Sequence, residues 1–322
     1  MSKLIKIYPG MKFNEWCVYW LEHTSYSRSV TTNAKYEEII SRVIQPAFKN
    51  KTLSELSYEN IQGFIDMLKL KGLKESRISM IRSIINIVLE YAVNHKLISR
   101  SPALLAHSAK RKFKFATVLN DEDIKKLIQI QNESRYIPVI LFTLFLGLRI
   151  GECLGLSWNN IDFENEKVTI SQQFVSYYKD GKTIQALVPY TKTRKNRTLP
   201  LPEIAVELLK EQQKVYVENQ DNLIFTEDDG KPILYAAFYY RFNQIMEKIG
   251  RPDVTPHSLR HTAATTLLHT TKDILLVKEM LGHTSVKTTG RYPTVSLQER
   301  RYIAKALDDY FASYMEALIK CS

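Results

Sequence analysis

Apolar residues recur at helical intervals through the first third of this chain, and the pattern predicts four helices in succession. In MKFNEWCVYWLEH, Phe13, Trp16, Cys17, Trp20 and Leu21 make one stripe. A second helix fits Thr31–Ile44 and should stop near Pro46, which lacks the backbone donor that a helix requires. LSYENIQGFIDMLKLKG predicts a third, with Ser57 as N-cap and Gly72 near its end. The fourth runs from Lys74 to Asn94, with Ile78, Ile81, Ile85 and Val88 along its packed face. Pro102 closes this block. AHSAKRKFKFATVL follows, basic and without apolar periodicity, as a linker would be.

The pattern then changes. NDEDIKKLIQI reads as a capped helix with acids in its first turn, where they favour the helix dipole. Residues 137–148 are almost wholly apolar, yet far short of the roughly 20 residues that span a bilayer, so they predict a buried core helix. KVTISQQFV, the stretch around Ile184–Tyr190, and RTLPL alternate as short strands, with Lys192 in the turn between the last two. Helices resume after Pro202. The last, about residues 297–320, places Leu297, Tyr302, Ile303, Leu307, Phe311, Tyr314 and Leu318 roughly on one side. The expected organisation is a tail (1–10), a helical domain (11–105), a basic linker (106–116) and a second domain (117–322).

Composition narrows the partner. The 322 residues suffice for two domains, and 45 basic against 34 acidic residues give +11 and a pI near 9.3, which favours nucleic acid. The excess is uneven: residues 1–116 hold 19 basic and 9 acidic residues, the remainder 26 and 25. Lys71, Lys74, Arg77 and Arg82, on or just before the fourth helix, are placed to follow a DNA backbone, as are Lys110, Arg111, Lys112 and Lys114 in the linker. Cys17, Cys153 and Cys321 are too scattered for a disulfide framework or a zinc site, which suits a reducing cytoplasm. MSKLIKIYPG has no apolar run long enough for a signal peptide, so a cytoplasmic, DNA-associated protein is expected.

The candidate chemistry lies between Pro256 and Thr294. His257 and Arg260, three apart, share a helix face and can address one target. His283 follows, and Tyr292 comes nine residues later in the polar segment TTGRYPT. A neutral proton acceptor beside a fixed cation suits a phosphate diester. Upstream, Arg149 and Lys192 fit the same chemistry. For Arg149 the competing reading is a structural ion pair with Glu152.

LFLGLRIGECLGLSWNNID around Arg149, TKTRKNRTLPLP around Lys192, PHSLRHT, LGHTS, and TTGRY ending at Tyr292 resemble, in order and spacing, the tyrosine recombinases of the phage integrase family. The resemblance covers most of the chain from about Thr117 to Tyr292 and is most like integrases of conjugative transposons and prophages. It implies a mainly α fold with a small antiparallel β-sheet, arranged as a two-domain clamp of a core-binding domain and a catalytic domain. It also implies that Tyr292 attacks the phosphodiester, leaving a 3′-phosphotyrosine and a free 5′-hydroxyl. Arg149 and Arg260 would hold the non-bridging oxygens. His257 would take the phenolic proton, Lys192 would protonate the leaving oxygen, and His283 would bond the phosphate. No metal, ATP or other cofactor is implied. The implied partners are double-stranded attachment sites, a tetramer of this chain on DNA and an accessory directionality factor, with no membrane. A housekeeping chromosome-dimer resolvase, or a non-catalytic DNA-binding regulator, are the alternatives. Two departures stand at the nucleophile: Pro293 directly after Tyr292 disfavours the α region there, and Thr294 occupies a place where many members carry histidine.

Overall fold

The computed structural model describes residues 7–8, 10–107, 117–191, 196–282 and 297–321. Lys110, Arg111, Lys112, Lys114, Lys192, His283 and Tyr292, with Pro293 and Thr294, lie outside the described residues. The chain divides into two compact units, residues 1–114 with 176–184 and residues 115–175 with 185–322.

The N-terminal stretch of the first unit, residues 11–94, is mainly helical. Helix α1 (Phe13–Thr24) buries Phe13, Trp16, Cys17 and Trp20, and the Trp16 indole donates to the Val88 carbonyl at 2.9 Å. Leu21, on the same predicted stripe, is half-buried. Helix α2 (Val30–Ile39) starts at Ser29, whose hydroxyl accepts from the Thr32 amide. With the turns that follow it, the helical run ends at Ala47, one residue past Pro46, as expected. A π turn over Ile40–Ile44, closed by the Gln45 amide on the Ile40 carbonyl, leads into α3 (Gln45–Ala47), and the wider turn gives the proline ring room against the preceding carbonyls. Helix α4 (Tyr58–Leu70) has the expected Ser57 cap, completed by Asn60 as a capping box. Helix α5 (Glu75–Asn94) buries Ile78, Ile81, Ile85 and Val88 as its spacing requires.

In the second unit, Asn120 and Asp123 form the capping box of α6 (Asp121–Gln129). Helix α7 (Tyr136–Leu146) is buried along its whole length, as expected of a helix apolar on every side. It ends two residues earlier than the apolar run suggests, because Gly147 takes a left-handed φ of 61° as C-cap. Arg149 therefore does not close this helix; it opens the next, α8 (Ile150–Leu154).

The expected strands appear with one change: KVTISQQFV is two strands, β2 (Lys167–Ile170) and β3 (Gln173–Lys179). The break falls where Gln172 turns to donate to the Gly155 carbonyl at 2.7 Å. Among the described residues, β1 (Ile161–Asp162), β2 and β5 (Arg197–Pro200) form an antiparallel sheet in that order, pairing Val168 with Leu199 and Ile170 with Arg197. Strands β3 and β4 (Lys182–Val188) make a separate hairpin through Asp180 and Gly181, both at positive φ (49° and 79°), as a two-residue turn demands. Among the described residues there are thus two small sheets rather than one.

Helices α9 (Glu203–Lys214), α10 (Tyr235–Lys248), α11 (Pro256–Thr271), α12 (Ile274–Leu281) and α13 (Leu297–Cys321) complete the unit. Helix α13 packs on α6, α9, α11 and β5 of its own chain, burying Ile303, Leu307, Phe311, Tyr314 and Leu318. Tyr302, expected on that side, is half exposed at 50%. No helix among the described residues is long and apolar enough to cross a membrane.

Candidate active site

Three helix ends and one strand end meet around Glu152. Arg149 is the N-cap of α8, and its carbonyl accepts from the Glu152 and Cys153 amides at 2.9 and 3.0 Å. Glu152 reaches back: Oε2 accepts from the Arg149 amide at 3.0 Å, and Oε1 accepts from Arg149 Nη1 at 2.7 Å. The pairing of Arg149 with Glu152, the structural alternative for that arginine, is therefore present. That pairing engages the Arg149 amide and Nη1.

A second arginine completes the carboxylate. Arg197, at the start of β5, donates Nη2 to Oε2 at 2.7 Å and Nη1 to Oε1 at 3.1 Å, and its Nε donates to the Met280 carbonyl at 3.2 Å. Glu152 has no solvent exposure, and a carboxylate so placed must be paired and fully bonded. Burial alone would raise its pKa; the bonds from Arg197, then those from Arg149, outweigh it and hold the group at about 2.

Arg260 enters from α11. Thr255 caps that helix in a box with Ser258, and Pro256 fills the first turn, where a missing amide costs nothing. Arg260 is 3% exposed, donating Nη1 to the Gly147 carbonyl at 2.7 Å and Nη2 to the Leu281 carbonyl. Both acceptors lie at helix C-termini, those of α7 and α12, whose last carbonyls lack partners within the helix and favour a cation. Burial lowers the Arg260 pKa to about 9, and Arg149 and Arg197 push it the same way, so the group stays charged at neutral pH. Arg149 and Arg260, 111 positions apart in sequence, are thus within one electrostatic neighbourhood.

His257 ends at a different depth from Arg260: it is exposed, with its ring edge-on to His261, centroids 4.6 Å apart. Of the six residues expected in the site, Arg149, His257 and Arg260 are placed in one unit; Lys192, His283 and Tyr292 lie outside the described residues. Arg197 was not singled out from sequence. Its signal was slight: it opens the RTLPL segment, five residues after Lys192.

The expected DNA-facing residues of the first unit separate into two kinds. Lys71 and Lys74 are exposed. Arg77 is half-buried and lies 3.8 Å from Glu38, and Arg82 donates to the Ala106 carbonyl with its Nε buried.

The guanidiniums of Arg149, Arg197 and Arg260 thus gather about the buried Glu152 carboxylate in a mainly helical unit. The model of the phage integrase family matches residues 117–299, more than half the chain, and that of the phage integrase N-terminal SAM-like domain matches residues 12–69. The chain belongs to the phage integrase family, the tyrosine recombinases, which carry out site-specific DNA recombination. A XerC-like tyrosine recombinase of Caldanaerobacter subterraneus is 25% identical over 318 residues, covering 91% of this chain and 81% of the relative. The tyrosine recombinase XerD of Oceanobacillus iheyensis is 26% identical over 298 residues, covering 90% and 91%. Among solved structures, the Tn1549 transposon integrase bound to circular intermediate DNA superposes with a TM-score of 0.73 at 17% identity, covering 92% of this chain and 99% of that one. A lambda integrase tetramer bound to a Holliday junction gives 0.68 at 15% identity, covering 89% and 81%.

Proposed function

We propose that this recombinase integrates and excises a mobile element, cutting double-stranded attachment sites with Tyr292 as nucleophile. The observation that carries the catalytic reading is the meeting of Arg149 and Arg260. Arg260 bonds the carbonyl of Gly147, two residues before Arg149, and the pair share the field of Glu152. Two such cations suit the two non-bridging oxygens of a phosphodiester and the extra charge of its transition state.

In the reaction, Tyr292 Oη forms a bond to phosphorus as the bond to the 5′-oxygen breaks. The phenolic proton goes to His257, whose exposed position lets a substrate reach it. Lys192 returns a proton to the leaving 5′-oxygen, and His283 donates to the phosphate. A lysine suits the acid role because its pKa can be tuned, whereas a guanidinium holds its protons. The product is a 3′-phosphotyrosine and a free 5′-hydroxyl. That hydroxyl, or one from the partner duplex, reverses the step without an energy source. A tetramer on DNA supplies the four cuts, and an accessory factor sets direction.

The mobile-element reading is supported by the likeness in fold to the Tn1549 integrase along nearly its whole chain. A second reading, chromosome-dimer resolution, is favoured by the XerC and XerD relatives. Duplexes built from inverted repeats beside the gene, nicked near the cleavage point, test both. Wild type should accumulate a covalent adduct and Tyr292→Phe none, with DNA affinity near normal. Lys192→Ala should be slow on ordinary DNA and recover with a 5′-thiol leaving group; no recovery removes Lys192 as the acid. Cutting at a chromosomal resolution site in place of the flanking repeats would replace the mobile-element reading with the second one.

A further inference from the structure

We propose that Arg197 is a positioning residue that holds Arg149, through Glu152, and the end of α12, through the Met280 carbonyl, in one buried frame; this rests on the recombinase site proposed above. Glu152 accepts four hydrogen bonds, two from Arg149 and two from the Arg197 fork. A carboxylate has about four acceptor positions, so the group is saturated only while both arginines are present. By meeting half of the demand, Arg197 lets Arg149 answer with its amide and a single Nη. The two side chains differ accordingly, Arg149 being 23% exposed and Arg197 11%. The outer arginine faces substrate; the inner one braces it.

The third donor of Arg197 widens the frame. Met280 and Leu281 end α12, and their carbonyls have no later turn of helix to bond. Arg197 takes the first and Arg260 the second, so one arginine of the phosphate site and its brace share the helix end from which the chain continues to His283 and Tyr292. Gly282, at φ +61°, turns the chain with its Cα side against Arg197, where an added Cβ would lie 3.3 Å from Cδ. A lysine would keep the charge of Arg197 but not a bidentate fork and a third bond at once.

The test compares Arg197→Lys, Arg149→Ala and the double variant with wild type as full-length proteins, on a nicked duplex built from the inverted repeats beside the gene. Arg197→Lys should slow covalent capture about 100-fold, the cost of a misplaced catalytic group, with DNA affinity within about threefold. Because Arg197 acts through Arg149, its substitution should cost less in the Arg149→Ala background than in wild type. Amide exchange should quicken in α8 and at the end of α12. Capture at the wild-type rate, or the same loss in both backgrounds, overturns the proposal. Where Arg197→Lys does not fold, Glu152→Gln gives the same comparison. A wild-type chain that forms no adduct refutes the recombinase reading instead, and the exchange measurement still decides the brace: unchanged exchange at both helix ends overturns it.

Discussion

A carboxylate sealed from water survives as an anion only where donors replace its hydration, and Glu152 has four of them. Its pKa of about 2, against an ordinary 4.5, makes it a stabilising group with a defined window. The folded-state value lies below the unfolded one, so the contribution is complete above about pH 4.5 and is lost as pH falls towards 2; linkage puts it at about 3 kcal/mol. Denaturant unfolding followed from pH 7 to pH 2 should show wild type losing this increment across that window. Glu152→Gln should be less stable at neutral pH by about 3 kcal/mol and flatter in acid. Parallel curves for the two proteins would contradict the pairing.

Helix α13 makes the element-scale case. Phe311, 3% exposed, packs edge-on against Phe145 of the buried α7, ring centroids 4.9 Å apart, and the Tyr310 hydroxyl bonds Asp121 at 2.9 Å. A helix so embedded in its own chain is part of the core. Phe311→Ala should cost about 3–5 kcal/mol in urea unfolding, and a loss under about 1 kcal/mol would argue against packing in cis. At this scale much was legible from sequence, because caps and periodicity are local. Ser57, Asn120 and the stripe of α5 declare themselves within a few residues. The rest depended on distant partners. The two-strand split of KVTISQQFV follows from Gln172 meeting Gly155, 17 positions away. Arg197 finds Glu152 across 45 positions through the β2–β5 register, which no local pattern encodes. The helical run does end beside Pro46, at Ala47, but the π turn over Ile40–Ile44 that precedes it has no local sequence signal.

For the whole molecule, charge decides how DNA is first met. Nearly all of the +11 excess sits in residues 1–116, so attraction should come chiefly from the first unit. Within it the basic residues are not equivalent. Lys71 and Lys74 are exposed, whereas Arg82 is tied to the Ala106 backbone. Substituting both lysines with alanine should reduce the slope of log K against log salt by about 2, with folding unchanged. Arg82→Ala should instead lower the unfolding midpoint; an altered slope with unchanged stability would place it on DNA. The account as a whole requires one phenol among 18 tyrosines to carry the cut strand. Its most direct test is mass spectrometry of the trapped adduct after nuclease and trypsin digestion. The nucleotide 3′-phosphate should be found on the peptide Tyr292–Arg300, bonded to Tyr292; attachment to any other residue would contradict it.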